Sequence, residues 1–492
     1  MTGIVGVILA LALLIYLAYR GISVLVLSPL MAVLAMLFEG GTPVLAGFTQ
    51  IFMPATGNFV ILYFPLFLLG AIFGKLMDDS GSAKSIARRT IEKFGRQRSM
   101  LAVVLSCAVL TYGGVSLFVV AFAIYPIAAA LFRENGIPKR FIPGAIALGA
   151  FTFTMTALPG TPAIQNAIPM PFFGTTPFAA PFLGIIAASI MFTLGMFWLN
   201  RRYRSAMEKD EGYGSHEDDR PKGDPMMREH AEGEGFDIAE LKEKPEPEGM
   251  PGFWMALFPI LLVIAMNYLF SMVIIPAMDT SYLALPRYGE TDLSAVRGIW
   301  AIISALIISI VVISAMNHKR FSSFLETLDS GANASVLPIF NTASLVGFGA
   351  VIASLNAFEI IRSGVMGLGG TNPLVSLALS VNILAGITGS ASGGMSIALQ
   401  TLGADYVQMA NAAGISLELM HRVTTVATGG LDSLPHNGAI ITLLSICNLT
   451  HRESYTDILV VAVLAPLVSL ATLIILGTFF GTFYAPNLFQ IV

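Results

Sequence analysis

Two residues near the end of the chain have the types and spacing for proton chemistry. Asp432 is the only formal charge between Arg422 and Arg452, and His436 follows four positions later, one helical turn on if the helix persists through Pro435. A carboxylate in an apolar segment is costly to ionise alone, so it tends to be protonated, paired or ion-coordinating, while an imidazole titrates near neutral pH. Asp432 and His436 therefore form a candidate ion-coupling pair. Two other readings stay open: Asp432 capping a half-helix that begins near Pro435, and a sodium ion held by opened carbonyls with Ser or Thr oxygens.

A second set of residues suits the binding of a small anion. Thr152 to Pro171 reads TFTMTALPGTPAIQNAIPMP and lies in a run of sixty residues, Phe141 to Asn200, without one charged side chain. Pro159, Gly160, Pro162, Pro169 and Pro171 forbid an unbroken helix there. A break at bilayer depth survives only against protein or a hydrated cavity, and it offers a positive helix N-terminus and free peptide groups. Thr161, Gln165 and Asn166 add polar groups to this break, and His436 and Asn437 to a second one near Pro435. Two Gly-rich turns complete the candidate substrate-binding set: Thr111, Tyr112, Gly113, Gly114 and Ser116 in TYGGVS, and Ser390, Ser392, Gly393, Gly394 and Ser396 in GSASGGMS. Glycine lets backbone N–H groups approach a ligand, while hydroxyls and amides satisfy its oxygens. No fixed positive charge is expected at this site.

These residues need helices of membrane length to position them. At 492 residues, 55% hydrophobic and 12% charged, with a mean hydropathy of +0.76, the chain is far more apolar than a soluble domain. Roughly 20 apolar residues per span give ten crossings, oriented by where Lys and Arg collect. Five lie in the first half: Gly3 to Tyr19, Ile22 to Phe38, Phe59 to Met77 after a polar connection from Glu39 to Asn58, a broken helix at about 141–170, and Phe178 to Leu199. Met1 opens an apolar stretch with no basic leader and no cleavage site, so it reads as the first span. The basic segment from Lys84 to Arg98 reads as an interfacial amphipathic helix on the cytoplasmic side. The 34 uncharged residues from Ser99 to Phe132 have basic clusters at both ends, which predicts a re-entrant hairpin turning at Thr111 to Ser116.

Arg201 to Met250 carries 15 of the 31 acids and 9 of the 27 Lys and Arg, too polar to fold alone, and reads as a cytoplasmic linker. Five crossings follow it: Phe253 to Pro276, Ile299 to Met316, about Ser335 to Phe358, a broken helix at about 423–449, and Ile458 to Tyr484. A second hairpin is expected at about 373–411. Leu158-Pro159 matches Leu434-Pro435, and Gly113 to Ser116 matches Gly393 to Ser396. An odd number of crossings per half inverts the second copy. The expected fold is therefore an all-α polytopic membrane protein of two inverted-topology repeats, 1–200 and 251–492, each with a re-entrant hairpin and a broken helix, and with both termini outside. Glu359 with Arg362 reads as an interfacial ion pair, and His421-Arg422 and His451-Arg452 as interface anchors. Cys107 and Cys447 read as packing residues. No HExxH, GxSxG or paired catalytic acids occur in the spans, so an enzyme, a metal, a cofactor or a nucleic-acid partner is not expected.

GAIFGKLMDDSGSAKSIARRTIEKFG at Gly70 to Gly95, supported by GITGSASGGMSIALQTLG at Gly386 to Gly403, resembles the gluconate:proton symporter (GntP) family of the ion transporter superfamily. The chain departs from gluconate carriers at the first break, where they have a histidine and this chain reads LPGTPAIQN. The resemblance implies proton-driven uptake of small hydroxy-monocarboxylates or sugar acids in the bacterial inner membrane, with a dimerising scaffold and a transport domain moving in an elevator-like stroke. A sodium-coupled di- or tricarboxylate carrier is the alternative, and a channel a further one.

Overall fold

The computed structural model describes residues 2–20, 22–94, 98–214, 249–367, 372–435 and 437–482, and every regular element among them is helical. Helices α1 (Thr2–Tyr19) and α2 (Val24–Glu39) pack as a pair, with the Ser23 hydroxyl accepting from Leu25 N at 3.3 Å to start α2. The expected polar connection shrinks to residues 40–43, because α3 runs unbroken over Val44–Asp79. Thr49 donates its hydroxyl to Leu45 O at 2.8 Å, and Pro54 is taken up by a π turn over Phe48–Phe52. A proline ring clashes with the carbonyl four residues back, and widening the turn relieves that clash. The same device sits at Phe270–Ile274 before Pro276 and at Val460–Leu464 before Pro466.

Helix α4 (Ser82–Phe94) buries Ile86, Ala87 and Thr90 and exposes Arg88 and Arg89, both paired with Glu92 at 3.2 Å. Next come α5 (Ser99–Tyr112) and α6 (Leu117–Glu134), joined at residues 113–116, where Gly114 takes φ +91°. Helix α7 (Ile142–Ala150) leads into an interrupted stretch that holds only short turns, Phe153–Thr156, Ile164–Ala167 and Pro169–Phe173. Helix α8 (Pro181–Glu208) extends about two turns past the expected start of the linker at Arg201, most of which lies outside the described residues.

Beyond it stand α9 (Phe253–Ala277), α10 (Leu293–Asn317), α11 (Phe324–Ser354) and α12 (Asn356–Gly367). There follow α13 (Pro373–Thr388), α14 (Ala391–Ala413), α15 (Leu417–Leu431), α16 (Gly438–Ile446) and α17 (His451–Phe480). The turn between α13 and α14 falls at Gly389 and Ser390, the first residues of the expected Gly389 to Ser396 stretch. The Ser390 hydroxyl accepts from Gly393 N at 3.1 Å, so the helix restarts ahead of the glycine pair. Gly393, Gly394 and Ser396 are buried inside α14, where a Cβ on Gly394 would stand 2.2 Å from Ala385 N. The glycine pair thus serves close helix packing.

Six helices are long and apolar enough to cross a membrane among the described residues: α3, α8, α9, α10, α11 and α17. Their outward faces carry large apolar side chains such as Ile61, Trp254, Val311 and Phe479. Charge gathers at one end of α8, where buried Asp457 accepts from Trp198 at 2.9 Å, Arg202 at 3.2 Å and Arg140 at 3.3 Å. Arg140 also holds Glu211 in a two-pronged contact at 2.6 and 2.9 Å. Arg362 bonds Glu359 at 3.1 Å and, beyond the expected pair, Asp405 at 2.9 Å.

Two predictions follow from this packing. Gly394→Ala should lower the thermal midpoint of the protein in detergent, overpacking of this kind costing roughly 1–3 kcal/mol. Gly57→Ala, whose Cβ would meet nothing within 4 Å, should leave it unchanged or raise it. The hydrogen bond from Arg140 holds the Glu211 carboxyl below its ordinary range. A depressed carboxylate stabilises above its unfolded value, and the contribution is lost as pH falls through the folded one. Midpoints of wild type and Glu211→Gln should therefore differ at neutral pH and converge under acid, as thermal melts across pH would record.

Candidate functional site

A cavity of about 300 Å³ lies where the α1–α2 turn, α3, the α5–α6 turn, the first interruption, α11 and the α13–α14 turn meet, with Gly438 just past the second interruption on its wall. Of the residues expected to bind substrate, Thr111, Gly114, Ser116, Gln165, Ser390 and Ser392 line it. Tyr112, Gly113, Thr161, Asn166, Gly393, Gly394, Ser396 and Asn437 do not, and His436 lies outside the described residues. Gly113 is packed on Ile260, where a Cβ would meet Cγ2 at 2.6 Å.

The first interruption is held by side chains from all around it. Gly160 takes φ +82° under the Phe178 ring, which a Cβ would strike at 2.4 Å, so both backbone and space require glycine. Tyr112 Oη donates to Pro159 O at 2.6 Å, Asn267 Nδ2 to Gly160 O at 3.0 Å, and Tyr63 Oη to Ile168 O at 2.9 Å. Thr161 Oγ1 accepts from Ala163 N at 3.3 Å. Asn166 Nδ2 donates to Thr161 O at 3.0 Å and to Pro177 O at 2.9 Å. Carbonyls released by the break are thereby satisfied, as backbone buried inside a membrane protein demands.

His421 and Arg422 belong to this clamp. The expectation that they are interface anchors is overturned, since both are fully buried. Arg422 donates to Ala179 O at 2.7 Å and to Asn166 Oδ1 at 3.3 Å. His421 Nδ1 faces Thr175 Oγ1 at 2.6 Å and Nε2 faces Asn166 Oδ1 at 3.2 Å. An imidazole donating from Nε2 and accepting at Nδ1 is neutral, which suits a place beside a buried guanidinium. Asn166 is thus a crosspiece between the interruption and α15. Its position next to charge-free neighbours in the sequence pointed to substrate, because the partner that uses its oxygen lies some 255 residues away.

The second interruption, residues 432–437, is built by the same rule. Asn437 caps α16, its Oδ1 accepting from Ala439 N at 2.6 Å, while its Nδ2 donates to Gly389 O at 2.6 Å and ties the break to the α13–α14 turn. The cap of that half-helix is therefore Asn437. Asp432 is buried at the end of α15 and accepts from Ser433 Oγ at 3.1 Å. His451 Nε2 donates to Pro435 O at 2.8 Å and Tyr455 Oη to Ser433 O at 3.1 Å.

Two charges on the cavity wall were not expected there. Lys75 and Asp78 of α3 line it, Lys75 being only 7% exposed. Lys75 Nζ stands 3.9 Å from Asp79 Oδ1, whose other oxygen accepts from Thr327 at 2.8 Å. The sequence signal was present: a lysine and two aspartates inside the last turns of an apolar span, in the segment that carries the family resemblance. The expected span, Phe59 to Met77, includes Lys75 and stops just short of Asp78 and Asp79, and none of the three was singled out.

The chain matches the model of the family described as GntP family permease over residues 2–479. An uncharacterized transporter of Bacillus subtilis (strain 168), YxjC, is 44% identical over 464 residues, 93% of this chain and 95% of that protein. A gluconate permease of the same organism is 36% identical over 105 residues, 20% of this chain and 23% of its own length. The crystal structure of the Alcanivorax borkumensis YdaH transporter, reported to have an unusual topology, aligns over 87% of each chain with a TM-score of 0.47 and 17% identity.

If Asn166 is a crosspiece, Asn166→Ala should act on folding before binding. Arg422 and His421 would each lose an acceptor in a dry setting, which costs roughly 1–3 kcal/mol per orphaned group. The expected result is a clearly lower thermal midpoint without ligand, and an unchanged midpoint would contradict the assignment.

Proposed function

The chain belongs to the GntP permease family, and from that premise we propose that it is a secondary active symporter taking up a small organic anion, a hydroxy-monocarboxylate or sugar acid, with protons. The observation that carries this reading is the cavity itself. Thr111, Ser116, Gln165, Ser390 and Ser392 surround it with hydroxyls and one amide, and Lys75 supplies a cation. Its volume stands at the low end of the roughly 300–1,000 Å³ of small-molecule sites, which suits an acid of few carbons. Asp432 and His436 remain the proposed coupling pair.

The proposed architecture is a pair of inverted repeats, 1–200 and 251–492, joined by a cytoplasmic linker over 201–250. Its support is the pairing of helices. The first half's α3 packs against α11, its counterpart, and α8 against α17. Partners also exchange: α2 packs on α11 as α10 does on α3, α5 on α7 as α13 on α15, and α4 on α9 as α12 on α1. A twofold relation between the halves would generate each of these pairs. With re-entrant hairpins opening from opposite faces, the carrier would work by an elevator-like stroke of both hairpins, as a homodimer in the bacterial plasma membrane with both termini outside.

Reconstituted in liposomes, the protein should accumulate a labelled hydroxy acid when driven by an inward proton gradient without sodium, and should show saturable counterflow. Uptake that needs sodium and prefers a di- or tricarboxylate would favour the alternative carrier, and conduction without counterflow a channel. Asp432→Asn should abolish accumulation while sparing exchange. Unchanged accumulation in that variant would remove Asp432 from coupling.

A further inference from the structure

Helix α8 turns one face outward along its whole apolar length. Phe182 and Phe197 are 52% and 65% exposed, with Ile185 and Ile186 exposed between them, so this stripe meets lipid tails. At 3.6 residues per turn, Arg201 and Arg204 lie about 40° and 20° to either side of Phe197 and carry the stripe past the apolar segment. At about 1.5 Å per residue they stand about 28 and 33 Å from Phe182, against a hydrocarbon core of roughly 30 Å. Headgroup phosphates begin at that depth. Trp198, half-buried and donating from Nε1 to Asp457 at 2.9 Å, marks the same level, where tryptophan gathers in membrane proteins. Other arginines near this end are engaged: Arg202 and Arg140 hold Asp457, and Arg140 also holds Glu211. Arg201 and Arg204 are exposed and bond no protein group among the described residues, Glu208 one turn beyond Arg204 included. Together with Trp198, Arg202 and Ser205 they line a shallow recess on the surface of α8.

We propose that this recess seats the headgroup of an anionic phospholipid, with Arg201 and Arg204 holding its phosphate and Phe197 beside its acyl chain. Three positions apart, the two guanidinium groups are neighbours on one helix face, and such groups bind phosphate oxygens through paired N–H donors. Net charge selects the lipid. Arg140 and Arg202 are balanced by Asp457 and Glu211, which leaves Arg201 and Arg204 against Glu208 and so one positive charge in excess. A phospholipid of charge −1 neutralises that excess, whereas a zwitterionic one leaves it in place. Asn200 and Ser205, also on the wall, offer neutral hydrogen-bonding groups to the rest of the headgroup. Basic recesses at the ends of membrane helices are where anionic lipids are held. The proposal needs only that the chain is a membrane permease, and it is independent of the solute and of the coupling ion.

The test is native mass spectrometry of the purified full-length protein, released from neutral detergent after titration with equal amounts of phosphatidylglycerol and phosphatidylcholine. Wild type should retain phosphatidylglycerol in preference. Arg201→Gln and Arg204→Gln should each weaken that retention about fivefold, and the double variant should lose the preference. Arg204→Lys should keep most of it, because the charge remains. Arg88→Gln, which removes an exposed arginine already paired with Glu92 at 3.2 Å, should change nothing. Thermal midpoints in detergent without lipid should be the same for wild type and the double variant, since neither arginine serves a protein contact, and added phosphatidylglycerol should raise only that of wild type. Equal retention of the two lipids by wild type, or a preference that survives in the double variant, would overturn the proposal. So would a lower midpoint of the double variant without lipid, which would assign the arginines to the fold, or displacement of the bound lipid by inorganic phosphate, which would make the recess a site for free anions.

Discussion

The structure depends on one constraint: within a bilayer, a peptide group released from a helix must find its partner in the protein. Two stretches of this chain give up helical bonding, and the surrounding side chains are arranged to answer them. Tyr63, Tyr112 and Asn267 come from three different helices to reach three carbonyls of the first interruption. Arg422 contributes the largest donor set, and because its acceptors are neutral oxygens it is a charge dispersed over carbonyls rather than paired. His451 and Tyr455 do the same for the second, and Asn437 ties it to Gly389 O of the α13–α14 turn. Each opening is thus fixed in shape before a ligand arrives, which is how a site can bind without an ordering cost at the moment of binding.

This changes where the affinity for an anion comes from. Bare peptide dipoles at the breaks were the expected source. The carbonyl ends are spoken for, and the helical piece after the first break, Ile164–Ala167, is too short to carry much of a dipole. Hydroxyls, the amides of Gln165 and Asn341, and the charged Lys75 and Asp78 of α3 are what line the cavity. The breaks therefore matter mainly as geometry: they let Gln165, the α13–α14 turn and the α5–α6 turn converge on one small volume.

Helical class and membrane character were legible in the sequence because both follow from composition and from the length of uncharged runs. The interruption at Pro159 to Pro162 was legible for the same reason, since proline chemistry is local. What could not be read was anything set by a distant partner. Asn166 and Arg422 are polar residues of ambiguous meaning until the chain brings them together, and Arg422 next to a predicted boundary resembles any interfacial arginine. Gly393 and Gly394 had the composition of a turn, but the capping hydroxyl of Ser390 one turn earlier decided where the helix restarts. Lys75 lay inside the expected span Phe59 to Met77 and in the segment with the strongest family resemblance, yet a single lysine in an apolar run says nothing of its place on the cavity wall until the helices are packed.

The most direct test of the account is a structure of the protein with a saturating hydroxy-monocarboxylate. The account predicts density for the acid within the cavity, among Thr111, Ser116, Gln165 and the α13–α14 turn, with Tyr112 still on Pro159 O and Asn267 still on Gly160 O. Density for the acid elsewhere, or a first interruption whose peptide groups have turned away from those side chains to face the ligand, would contradict it.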